Sequence, residues 1–419
     1  MTRRTLSEWL AWQEQLHPST IELGLARVGE VWNRLHPEGF APFVITVAGT
    51  NGKGSCVAYL DAILRCAGYR TGSYTSPHLV RYNERIRVVG EDAPDEAICD
   101  AFERIEERRR ATSLTYFEFG TLAALDIFAR ENVDVALLEV GLGGRLDAVN
   151  LLDADAMLIT SIGLDHTDWL GDTLDAIARE KAGVLRRGRP AVFAESLVPE
   201  GFLQAAAESG ADVSYLEKDY SFSYTSDGWR WQMGGAELEL PLPAMRGDYQ
   251  VQNAAAVVTL LHRVSQRLPV APAAIADGLR MAAVEGRFQK VHSSPAVYVD
   301  VAHNRESASA LAGNIASLAG GGLVHAIFSI YAGKPVDELA RVLVPHVDSW
   351  HIYEMKSSRA LDIEAMESAL RTAQHDANIV IHGSLPEALR ILEECDPLDV
   401  VVIFGSFEVA GEALEILNA

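Results

Sequence analysis

Residues 43–55 read Phe43-Val44-Ile45-Thr46-Val47-Ala48-Gly49-Thr50-Asn51-Gly52-Lys53-Gly54-Ser55. The apolar run Phe43 to Val47 breaks into glycines, after which Val57, Leu60, Leu64 and Ala67 recur at helical spacing as far as Gly68. This is the pattern of a strand, a glycine loop and a helix. Such a loop turns backbone N–H groups and the positive end of the helix dipole toward an anion. Lys53 can reach outer phosphates there, and Ser55 can coordinate Mg²⁺. Gly49, Thr50, Asn51, Gly52, Lys53, Gly54 and Ser55 are therefore candidate nucleotide ligands, against the alternative of a plain glycine-rich turn. The stretch departs from a strict GxxxxGK[ST] pattern, since Val47 stands at the first glycine and Gly54 separates Lys53 from Ser55.

Working outward, strand-like apolar runs recur at Val133 to Val140 and Ala156 to Ile162, with a helical segment at Phe119 to Ala129. Continuous rather than alternating apolar strands predict a parallel sheet covered on both faces. From about Val213 to Leu240 short alternating strands, with Ser226-Asp227-Gly228 and Gly234-Gly235 at turns, predict a small antiparallel sheet. Gly247 to Arg267 and Ala271 to Ala283 read as helices. A second alternating unit then runs from strand Ala296 to Val301 to a last helix ending at Leu417. The expected fold is α/β: a phosphate-loop, parallel-sheet ATPase domain with a small antiparallel elaboration over 1–288, then a smaller Rossmann-like α/β domain over 289–419.

The chain has 419 residues and a formal net charge of −22. That charge argues against a broad cationic surface for nucleic acid or anionic membrane. Cys56, Cys66, Cys99 and Cys395 show no CxxC or CxxH spacing, which supports neither a disulfide framework nor a structural zinc site. No apolar run approaches the ~20 residues of a membrane span. Met1 to His17 carries Glu8, Gln13 and Glu14, so it lacks the apolar core of a signal peptide. A cytoplasmic protein is expected.

Further candidates sit at the carboxyl ends of predicted strands, where open α/β sheets bind ligands. Glu139 closes one apolar run just before Gly141-Leu142-Gly143-Gly144, as an Mg²⁺ ligand or as a charge capping a strand. His166, after Asp165, is a second metal ligand or a loop residue. Lys181 falls on the apolar helical face of Leu174, Ile177, Ala178 and Leu185, where it must snorkel, pair or be chemically changed. Asp300, His303 and Asn304 cluster after a strand of the second unit. Arg287, at the boundary, either clamps phosphate or pairs with a surface acid.

Together these segments resemble the Mur ligase superfamily, within it the folylpolyglutamate synthase and dihydrofolate synthase branch. The resemblance rests on Thr46 to Ser55, Ser76-Pro77-His78-Leu79, Thr115 to Glu118, Glu139 to Asn150, Thr160 to Gly171 and Arg179 to Gly183. It continues through Gln252 to Ala255, Gly286-Arg287-Phe288, Asp300 to Asn304 and Gly405-Ser406-Phe407. It implies that Lys53 and the loop amides hold ATP, with Asn253, Arg287, Asp300 and His303 completing the nucleotide site. Ser55, Ser76 and Glu139 would serve one Mg²⁺, and His166 a second with carbamylated Lys181; a monovalent cation such as K⁺ is a further expectation. Lys181, Lys53 and His166 would be the catalytic set. Glu22, Leu23, Gly24, Leu25, Thr115, Tyr116, Phe117, Glu118, Leu146, Asp147 and Ala148 would surround the pterin.

The sequence departs from the family pattern at Val149, where threonine is usual, at Arg305, where proline is usual, and at Tyr331 to Pro335, where an Asp-Lys-Asp run is common. The 42 residues before Phe43 are too few for a UDP-sugar-binding domain, so the acceptor is not expected to be a UDP-muramyl peptide. The activity implied is ATP-dependent addition of L-glutamate to dihydropteroate and to reduced folates, by a monomer acting on small molecules alone. A ligase using a non-folate acid and a regulatory ATPase are the rival readings.

Overall fold

The computed structural model describes residues 4–17, 19, 21–318 and 321–418; Met1 to Arg3, part of the segment read for a leader, lie outside them. Its contacts divide the chain into two compact units. The first comprises Met1–His78, Tyr82–Ala244 and Gln250–Ala283, and the second Leu79–Arg81, Met245–Tyr249 and Val284–Ala419. Residues 284–288 thus cluster with the second unit, ahead of the 288/289 boundary expected from sequence.

The first unit is built on strands β1 (Phe43–Ala48), β2 (Thr71–Tyr74), β3 (Ile86–Val88), β4 (Glu91–Asp92), β5 (Val135–Glu139), β6 (Ala156–Ile159), β7 (Pro190–Phe193) and β8 (Asp212–Tyr215). Their order is β4-β3-β2-β5-β1-β6-β7-β8, with β3 and β4 antiparallel at one edge and the rest parallel. Every residue of β1 is buried, as a central strand covered on both faces requires. Each buried Val or Ile side chain of β1 contributes roughly 1.5–3 kcal/mol to this core.

Asp212 to Tyr215 does not join the antiparallel sheet predicted to begin near Val213. It pairs in parallel with β7, because the helix Glu200–Ser209 between them makes a crossover connection. The antiparallel sheet is confined to β9 (Tyr220–Tyr224), β10 (Trp229–Met233) and β11 (Ala236–Leu240). It is anchored by the buried Trp231, whose indole N–H donates to Thr259 Oγ1 at 2.8 Å.

In the second unit β12 (Gln289–Ser293), β13 (Ala296–Val299), β14 (Val324–Phe328), β15 (Ser349–Tyr353), β16 (Ile379–His382) and β17 (Val400–Phe404) form a sheet of order β12-β13-β17-β14-β15-β16. All neighbours are parallel except β12. That edge strand escapes a hydropathy reading because Gln289-Lys290-Val291-His292-Ser293 has no buried residue. Among the described residues no helix is long and apolar enough to cross a membrane.

Candidate active site

The glycine loop leaves the carboxyl end of β1 and enters the helix Lys53–Cys66. Gly49 has φ +149°, and a Cβ there would lie 1.9 Å from Thr160 Oγ1, so no other residue fits without displacing the turn. The loop is braced from β6: the amides of Thr50 and Asn51 donate to the carbonyl and the hydroxyl of Ser161, at 2.8 and 2.9 Å. Thr50 and Asn51 therefore hold the loop's shape. Anion-directed amides are those of the helix N-terminus, from Gly52 onward. Gly52, at φ +85°, packs against the Asn253 side chain, which places Asn253 beside the loop.

Two amines converge on one carbonyl. Lys53 Nζ donates to Gly49 O and Thr50 O, both at 3.0 Å, and Lys181 Nζ donates to Gly49 O at 2.9 Å. Lys181 is only 4% exposed, so it does not snorkel to water. Burial, with Lys53 adding like-charge repulsion, lowers its pKa to about 7, against partial compensation from Asp165 and Asp147. The apolar face predicted for its helix, Leu174–Ala182, needs two corrections. Leu185, although buried, lies beyond the end of the helix. Leu174 is 45% exposed because it opens the helix, while Ile177 and Ala178 are buried with Lys181. Gly144 brings the 141–145 loop onto this helix, since a Cβ there would meet Glu180 O at 2.7 Å and Lys181 O at 2.9 Å. The Arg145 amide then donates to Glu180 O at 2.9 Å.

Glu139 ends β5 beside β1, buried, with one carboxylate oxygen accepting from the Ser76 amide at 3.2 Å. Ser55, also buried, receives Gln250 Nε2 at 3.2 Å. Hydroxyl and carboxylate oxygens at adjacent strand ends are the hard donors a divalent cation needs, so the residues fit the expected metal. His166 occupies an exposed turn with φ +52°, where its amide donates to Asp165 Oδ1.

The three segments expected around a pterin are drawn together. The Gly24 amide donates to Leu146 O at 3.2 Å, and Arg27 pairs with both Glu22 and Glu118. Leu23 and Leu25 flank this point and are half-buried. Thr115 and Glu118 also cap the helix Tyr116–Arg130 reciprocally, a local structural task that explains their pairing in sequence. Tyr116 lies under the Arg85 guanidinium at 5.6 Å, and the Phe117 ring fills the space at Gly141. Asp147 accepts from the amides of Leu142 and Val149 at 2.8 and 2.9 Å, and burial raises its pKa to about 6. Ala148 and Val149 are buried in the core, so a valine methyl takes the usual hydroxyl's place among apolar neighbours.

In the second unit, Asp300 follows β13 and accepts from the amides of Phe288 and Ala302 at 2.7 and 2.8 Å. Burial raises its pKa, and Arg287 works against that rise. The Arg287 guanidinium lies 5.3 Å from the Phe407 ring centre, and the His303 ring 6.0 Å from it on the same side of the sheet's carboxyl end. Asn304 is spent as the cap of the helix Arg305–Ala316. Arg305 reaches toward Glu338 at 4.0 Å, and Tyr331 donates to Glu408 while stacking under Arg359.

Sequence reasoning missed Arg27, Gln250 and the bracing role of Ser161. A lone arginine or glutamine on an amphipathic helix carries no local signal, whereas Ser161 sits where the strand rule would have found it.

Residues 47–261 match the Mur ligase middle domain, and residues 286–407 match the glutamate ligase domain of the same ligases. The chain belongs to the Mur ligase family. Within that family it is 40% identical to the dihydrofolate synthase/folylpolyglutamate synthase of Escherichia coli over 416 residues, covering 99% of this chain and 96% of the relative. Its fold superposes on E. coli FolC in complex with DHPP and ADP with a TM-score of 0.93, at 40% identity over 99% and 98% of the two chains. A bifunctional folylpolyglutamate synthase/dihydrofolate synthase with Mn, AMPPNP and L-glutamate bound matches at a TM-score of 0.91 and 40% identity, over 99% and 98%. This Mur ligase is therefore an ATP-dependent ligase of the dihydrofolate synthase/folylpolyglutamate synthase branch, using ATP and a divalent cation.

Proposed function

We propose that the chain joins L-glutamate to dihydropteroate, giving dihydrofolate, and to reduced folates, giving polyglutamates. The observation that carries this reading is the convergence of Lys53 and Lys181 on Gly49, with Glu139 on the neighbouring strand. The substrate carboxylate attacks the γ-phosphorus of ATP, ADP leaves, and the glutamate amine displaces phosphate from the acyl phosphate to form the amide. Lys53 and the amides from Gly52 onward hold the phosphates in line, which is most of what a protein contributes to phosphoryl transfer. Two Mg²⁺ ions, one on Ser55, Ser76 and Glu139 and one on His166 and carbamylated Lys181, would neutralise charge on the transferred group.

The setting of Lys181 supports its carbamylation. An amine with a pKa lowered to about 7 is substantially neutral at physiological pH, and its lone pair attacks CO₂ with loss of one proton to give an anionic carbamate. The segments joined through Gly24, Arg27 and Leu146 form the pterin end. The cytoplasm suits four cysteines that are all free. Incubation with ATP, dihydropteroate and L-glutamate, with products weighed by mass spectrometry, tests the reading. Phosphate release should require both acid and amine, and release without either would indicate an ATPase.

A further inference from the structure

The sheet of the second unit has a second edge, at the amino ends of its strands, away from Asp300 and His303. There β14 and β17 are parallel neighbours, with Val324 paired to Val400, so the residues that open them lie side by side. His325 is the second residue of β14, Asp399 immediately precedes β17, and Cys395 lies in the turn leading to it. One ring nitrogen of His325, Cys395 Sγ and one carboxylate oxygen of Asp399 lie within 4.8 Å of one another.

His325 is only 7% exposed, yet neither ring nitrogen has a hydrogen-bond partner. Its Nε2 stands 3.7 Å from Asp399 Oδ2, too far for a hydrogen bond. A buried imidazole left this way calls for a ligand or a structural reason. Asp399 is held in place: Oδ1 accepts from the Leu323 amide and Oδ2 from the Asp396 amide, each at 2.8 Å, leaving further lone pairs on both oxygens. Cys395 is half-buried, so the cluster is reachable from solvent.

We propose that His325, Cys395 and Asp399 form a transition-metal site, with Zn²⁺ as the fitting ion and water as the fourth ligand. Imidazole, thiolate and carboxylate together suit zinc, and the sulfur disfavours Mg²⁺ and Ca²⁺. Tetrahedral zinc at ~2.0–2.3 Å from its ligands sets them roughly 3.3–3.8 Å apart, so the cluster need contract by about 1 Å. Binding replaces the thiol proton with the metal and pins the 395–399 turn to the starts of β14 and β17. The site is structural and separate from the ligase chemistry. Cysteine spacing gives no hint of it, because His325 and Cys395 are brought together only by strand order.

The test uses the full chain, stripped with a chelator and titrated with Co²⁺ and then Zn²⁺. One equivalent of Co²⁺ should produce a thiolate-to-cobalt charge-transfer band that Zn²⁺ abolishes, a signature that oxygen-lined Mg²⁺ sites cannot give. Cys395→Ser should remove the band and His325→Ala should weaken Zn²⁺ binding by on the order of 10–100-fold or more. Cys66→Ser, which alters the exposed thiol, should leave both unchanged. Absence of the band in the parent chain, its persistence in Cys395→Ser, or its loss in Cys66→Ser alone would overturn the assignment without reference to how well any variant folds.

Discussion

Replacing Lys181 with methionine keeps a long unbranched stem and deletes the buried amine. The folded chain holds that amine at about 7 against an ordinary 10.5, burial being the larger cause. Below pH 7 the ammonium is present folded and unfolded, so the folded state carries the whole cost. Between 7 and 10.5 the unfolded chain binds more protons and stability rises with pH, and above 10.5 the cost is gone. At about 1.4 kcal/mol per pH unit the cost near pH 6.5 is on the order of 4–5 kcal/mol. The lost hydrogen bond to Gly49 O offsets about 1–2 kcal/mol of it. Lys181→Met should therefore be more stable than the parent by about 3 kcal/mol near pH 6.5 and by roughly nothing near pH 9.5, while losing ligase turnover. Urea unfolding of the first unit, in CO₂-free buffer across that pH range, measures it. A difference that does not change with pH, or a parent more stable throughout, refutes the burial argument. Bicarbonate should stabilise the parent and leave the variant unaffected, since only the parent can form a carbamate.

Lys53→Ala should abolish turnover with little change in unfolding midpoint, because its half-buried amine donates to the loop carbonyls of Gly49 and Thr50 rather than packing in the core; ligase assay and urea titration together check this. Glu139→Gln keeps the side-chain shape but removes a hard anionic ligand, so the Mg²⁺ concentration for half-maximal rate should rise at least tenfold with smaller change in folate KM; normal rates at low Mg²⁺ would remove its metal role. Gly144→Ala drives a methyl into the Glu180 and Lys181 carbonyls and should cost about 1–3 kcal/mol of stability and reduce turnover, read by unfolding and assay on the same preparation.

Much of this protein was legible along the chain because its signals are local. A largely apolar strand running into Gly49 to Ser55 specifies a strand, an anion-binding loop and a helix through hydrophobicity, glycine φ and helix polarity, which need no distant partner. Glu139 became a candidate by the same logic, since a carboxyl strand end is visible in sequence, whereas Ser76 entered only through the family resemblance. Tertiary structure decided what depends on strand order and burial. Only the fold sets Lys181 against Gly49 across 132 residues of chain and strips it of water, turning an ambiguous helical lysine into a near-neutral amine. The fold also gives Asp212 to Tyr215 to the parallel sheet, because a crossover helix rather than local alternation chooses the neighbour. It likewise places Arg27 between Glu22 and Glu118, and His325 beside Cys395 and Asp399, contacts made by folding between residues whose own neighbours in sequence say nothing of each other.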